Sequence, residues 1–160
     1  MKKFVSPLLS IIVGALTFGM YAAPAQYLSD TGIGSAYELI SFEQYTPDSI
    51  VAFSIFSIIL FVLAGCLIIS GIFLLLQNMN VIKSKPITKL NSILLGLTAL
   101  IAIATLICYI VYYADVASIP GAGNLVRIGA ASITIAVVSI VALVVDLFTS
   151  KGKKSKKSKK

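Results

Sequence analysis

Histidine and tryptophan are absent from this chain, arginine occurs once, and cysteine twice. Without histidine there is no Ser-His-Asp triad, no Cys-His dyad and no imidazole ligand for a metal. The two cysteines, Cys66 and Cys108, fall in different apolar runs. Helix rise puts them at depths about 12 Å apart, too far for a disulfide, and they read as small buried apolar residues. No glycine-rich phosphate loop occurs, and Gly32, Gly34, Gly121 and Gly123 have the pattern of turn residues. These gaps predict a protein that is not an enzyme and holds neither cofactor nor metal.

Charge is scarce as well. Charged residues make up 12% of the chain, about half their usual share in soluble domains. None occurs from Ser49 to Ile82, and none from Leu90 to Ala114. A run of about 18 or more such residues reads as a membrane span. Four segments qualify, at about 4–22, 49–76, 90–113 and 128–145. Backbone groups in lipid must be satisfied within the segment, so each is predicted to be a helix. The runs do not alternate apolar with polar residues, which argues against a membrane β-barrel. The expected fold class is therefore all-α: a left-handed four-helix membrane bundle over residues 1–149, followed by a disordered lysine-rich tail over 150–160.

The basic residues that are present set the orientation. All twelve lysines lie in three places: Lys2 and Lys3, the loop 77–89, and the tail. Four spans put those places on one side. The outer loops, 23–48 and 114–127, carry only Arg127. The positive-inside rule then places both termini in the cytoplasm. All seven tyrosines fall in the outer loops or at the outer ends of spans, where interfacial rings prefer to sit. Lys151, Lys153, Lys154, Lys156, Lys157, Lys159 and Lys160 then face anionic lipid headgroups, at roughly 1 kcal/mol each. No aromatic or arginine residue is interleaved with them to stack on or read bases, so no nucleic acid is expected. The opening segment also has the form of a signal peptide, with Ala23-Pro24-Ala25 as a cleavage triplet. Its apolar stretch exceeds the usual signal core, and it reads as a retained span with Pro7 in its first turn.

Helices in lipid associate through small and weakly polar residues, and each span has these at heptad spacing. The first has Ser10 and Thr17; the second Ser57, Ala64, Gly71 and Asn78; the third Asn91, Thr98, Thr105 and Tyr112; the fourth Ser132, Ser139 and Asp146, with Gly129 and Ala136 interleaved. A seven-residue repeat suits shallow left-handed crossings. No ionisable group lies at mid-membrane, where an ion path would need one. Asp146, near a span end, is expected to pair with lysines or reach water, and Asp115 to pair with Arg127. In the first outer loop, Ser35 and Glu38 form a capping box and predict a short helix. Pro47 and Asp48 suit the first turn of the second span. Tyr37, Glu38, Phe42, Glu43 and Tyr45 make this acidic loop the expected surface for a membrane or extracytoplasmic protein partner.

The layout resembles small four-span bacterial membrane proteins of low-GC Gram-positive bacteria and their relatives, many without an assigned function. These combine a long first outer loop, a basic middle loop and a lysine-rich end, and "SAYELISFE" at 35–43 looks like their post-glycine segment. The layout is also similar to that of claudins and tetraspanins, but tryptophan and outer-loop cysteines, which their motifs need, are missing. The resemblance implies a bacterial cytoplasmic membrane protein, and the bundle with its acidic outer loop is expected to act as an accessory or interaction subunit. A holin-like or channel-forming homo-oligomer and a bacteriocin-immunity protein are the alternatives.

Overall fold

The computed structural model describes residues 2–21, 24–28, 32–35, 48–82, 87–118, 126–128 and 130–154. Four helices account for most of them: α1 (Lys2–Tyr21), α2 (Asp48–Asn78), α3 (Thr88–Ala117) and α4 (Ala130–Lys154). Each packs on the next in sequence, and α1 closes the ring by packing on α4. Three of them contain stretches long and apolar enough to cross a membrane: Val51–Asn78, Thr88–Asp115 and Ala130–Thr149. The apolar part of α1, Phe4–Met20, is shorter. The expected tail begins later than residue 150, because α4 continues through Lys151, Lys153 and Lys154.

Why these segments stop where they do is partly legible in their ends. After α2, Asn80 adopts a left-handed conformation (φ 60°). Val81 N–H then donates to Leu76 C=O and Asn80 N–H to Gln77 C=O, both at 3.0 Å. This is the Schellman arrangement, which caps the last carbonyls, and asparagine tolerates the required φ better than most residues. At the end of α3, the Ser118 hydroxyl donates to Asp115 C=O at 2.6 Å. Pro7 lies beyond the first turn, because α1 already begins at Lys2; its ring is buried in the bundle.

The all-α expectation missed one element. A three-stranded antiparallel sheet, ordered β2-β1-β3, is built from β1 (Pro24–Leu28), β2 (Gly32–Ser35) and β3 (Val126–Ile128). Central Tyr27 stands opposite Ile33 on one side and Arg127 on the other. The segment between α1 and α2 is thereby hydrogen-bonded to the one between α3 and α4. Ile128, expected at the start of the fourth span, belongs instead to β3, where it stands opposite Gln26 of β1. Arg127 takes a ladder position there. The capping-box helix beyond Ser35 lies outside the described residues.

The core runs along the bundle axis in layers. At the sheet end, Phe53, Tyr109 and Ala131 meet, with the Phe53 and Tyr109 rings 5.6 Å apart. Leu60, Ala102, Ile135 and Ala136 form the next layer. Towards the lysine-bearing end, Val13, Leu67, Leu95 and Ala142 supply one buried side chain from each helix. The seam between α1 and α2 is the closest. A Cβ on Gly14 would sit 2.7 Å from Ala64 C=O, and one on Gly71 2.8 Å from Pro7 C=O. Only glycine permits that backbone approach.

Candidate functional site: a buried polar layer at the lysine-bearing end

The outer surface of the bundle is as apolar as its core, and the core mixes apolar with polar side chains. Its buried residues include Ser10, Thr17, Ser57, Ser70, Asn91, Thr98, Thr105, Ser132, Ser139 and Asp146. Its outer surface carries Ile69, Leu100 and Val137, at 70%, 62% and 53% exposure, among many other large apolar side chains. A water-soluble bundle has a polar outer surface instead.

Most buried hydroxyls are consumed within their own helix. Thr17 donates to Val13 C=O, Thr98 to Leu94 C=O and Thr105 to Ile101 C=O, each at 2.8 Å. Such residues pack as small, nearly apolar surfaces, because their one donor is already satisfied. Ser139 Oγ is buried with no hydrogen-bond partner, and a layer near the ends of the helices that carry lysines bonds from helix to helix instead. Asn91, fully buried on α3, donates from Nδ2 to Ser10 Oγ (2.8 Å) and Ser6 Oγ (3.2 Å) on α1. Its Oδ1 accepts from Ser70 Oγ of α2 at 2.8 Å. Ser10 Oγ–H donates in turn to Ser6 C=O at 3.2 Å. One amide thus ties three helices with both donors and an acceptor in use. Interhelical bonds of this kind average about 0.6 kcal/mol each, so the node is worth roughly 2 kcal/mol.

The fourth helix joins through the next residue. Ser92 Oγ donates to Asp146 Oδ2 at 2.6 Å. Asp146 is fully buried, and its Oδ1 has no hydrogen-bond partner. Nearby Thr149 spends its hydroxyl on the Asp146 backbone carbonyl at 2.9 Å. The expectation that Asp146 would reach water is therefore corrected. It sits three residues inside the end of the apolar stretch at Thr149, on the face that packs against α3.

The layer brings together several residues that heptad spacing marked and some that it did not. Ser10, Asn91 and Asp146 lay on the predicted stripes, whereas Ser6, Ser70 and Ser92 did not. Each lies near the same end of its helix, a match that appears only once the helices are set side by side. Ser57, Ala64, Gly71, Thr98, Thr105, Ser132, Ala136 and Ser139 are all buried between helices. Of these, Ser57, Thr105 and Ser132 line a cavity of about 10 Å³ with Phe53, Leu60, Ala102, Ala131 and Ile135, near the lower limit for one water. Cys66 departs from expectation: it is exposed on the outer face of α2, while Cys108 is half-buried. Both are free thiols.

Tyr37, Glu38, Phe42, Glu43, Tyr45, Gly129, Lys156, Lys157, Lys159 and Lys160 lie outside the described residues. Among the described residues, no group of three or more histidine, cysteine or acidic side chains is placed to hold a metal. Chemically, the layer can lock helix register through Asn91 and can offer one carboxylate oxygen to a donor or cation. Comparison of the chain with known protein families, curated proteins and solved structures gives no match.

Proposed function

We propose that this chain is a four-span protein of a bacterial cytoplasmic membrane, with both termini cytoplasmic, that works without enzymatic chemistry as an accessory or interaction subunit. The observation that carries the reading is the apolar outer surface, with large apolar side chains facing outward around a core that also holds hydroxyl, amide and carboxyl groups. That distribution stabilises a bundle in lipid and would aggregate in water. It extends to α1, whose Leu8, Ile12 and Leu16 point outward while Ser10, Val13 and Thr17 are buried. The short apolar stretch of α1 therefore belongs to the bundle, and four spans place every lysine on one side.

The closed packing favours a binding subunit over a pore within one chain. Val13, Leu67, Leu95 and Ala142 fill the axis between the polar layer and the sheet end. Partner contact is assigned to the acidic, tyrosine-bearing segment 37–45, which leads into α2, and headgroup contact to the lysine tail.

Cross-linking in living cells at native expression tests this. A photoreactive residue at Tyr37 or Tyr45 is expected to give one dominant adduct with a different protein, identified by mass spectrometry. A ladder of self-adducts, together with ion leak through the purified protein, would replace the reading with a channel-forming oligomer.

A further inference from the structure

Among the described residues, Asp146 is the one buried charged side chain whose chemistry helix packing leaves incomplete. A carboxylate withdrawn from water needs donors on both oxygens or a compensating positive charge. Asp146 has one donor, Ser92, on Oδ2. Among the described residues, the neighbouring donors are committed elsewhere. Asn91, the residue before Ser92, spends both N–H groups on Ser6 and Ser10. Thr149, one turn on, bonds the Asp146 backbone carbonyl. Lys89, one turn before Ser92, is exposed.

We propose that the Asp146 carboxylate and the Ser92 hydroxyl form a binding site for a small monovalent cation, sodium or potassium. The charge decides the valence. One positive charge neutralises Asp146, whereas a divalent ion would leave an uncompensated charge in the same buried layer. The donor chemistry fits, since carboxylate and hydroxyl oxygens are hard ligands suited to such ions. The Ser92 hydroxyl rotates freely enough to turn a lone pair towards an ion in place of its proton. Access is short: Asp146 lies three residues from the end of the apolar stretch at Thr149, about 4.5 Å along the axis. An ion bound there bridges α3 and α4, a pair that the Asn91 node does not tie together.

The test uses the full-length protein in phosphatidylcholine nanodiscs. Its thermal unfolding midpoint is compared in sodium, potassium and N-methylglucamine chloride at equal ionic strength. At an ion concentration about a hundred times the dissociation constant, the midpoint is expected to rise by roughly 5–10 °C over N-methylglucamine. The larger rise identifies the preferred ion. Asp146→Asn should abolish the difference, and Ser92→Ala, which keeps the carboxylate, should reduce it. Equal midpoints in all three salts overturn the proposal, and would point to a lysine ammonium as the partner of Asp146. An undiminished alkali-ion shift in Asp146→Asn also overturns it. If Asp146→Asn does not fold, an undiminished shift in Ser92→Ala does the same.

Discussion

The two ends of the bundle are held by different forces. At the lysine-bearing end, side chains bond from helix to helix: Asn91 reaches α1 and α2, and Ser92 reaches α4. At the sheet end, Thr105 bonds its own backbone, and helices meet through Phe53, Tyr109, Ala131 and their neighbours. There β1 also cross-links the segments through backbone bonds to β2 and β3. Directional side-chain bonds specify which helix faces which, and at what depth. Shape-filling contacts tolerate more adjustment, and the small cavity beside Ser57, Thr105 and Ser132 lies in that looser half.

The sharpest way to break this contrast is at the helix seam. Gly71→Leu would drive a branched side chain into Pro7 C=O, which lies 2.8 Å from even a Cβ. The loss should exceed about 3 kcal/mol, the upper range for overpacking, and be seen as loss of a monodisperse species in detergent. Gly19→Ala is the control, because no atom lies within 4 Å of its Cβ. It should stabilise by about 0.5–1 kcal/mol through helix propensity, measured by denaturant titration in micelles. Next in size is Asn91→Ala, which removes three interhelical bonds and leaves Ser70 without its amide partner. About 2 kcal/mol should be lost. Smallest is Thr105→Val, which removes a hydroxyl bonded only within α3; its cost should stay below about 1 kcal/mol. A Thr105→Val cost equal to that of Asn91→Ala would erase the distinction between the two ends.

Much of the helical frame is legible in the chain. Uncharged runs of this length leave few alternatives to helices, and heptad spacing of Ser57, Ala64 and Gly71 marks the inward stripe of α2. What escaped prediction depends on distance in sequence. The sheet pairs Tyr27 with Arg127, and no local pattern announces a partner so remote. The Asn91 node requires knowing that Ser6, Ser10 and Ser70 share its depth, which follows only once the helices are set side by side. Cys66 was expected to be buried on general residue preference, but in lipid the outer face is also apolar, so that preference loses its force. Asn80 was readable in principle, since asparagine two residues past a helix end suits a left-handed cap.

The most direct test of the four-span arrangement is the environment of the outward faces. Cys66 and Cys108 would be replaced by alanine, and single spin labels placed at Ile12, Ile69, Leu100 and Val137, one per helix. All four labels, in native-like bilayers, are expected to collide with oxygen dissolved in lipid and to be shielded from a water-soluble nickel reagent. A label at Ile12 that met the nickel reagent as freely as one in water would remove α1 from the membrane. The same result at all four positions would contradict the lipid-facing bundle outright.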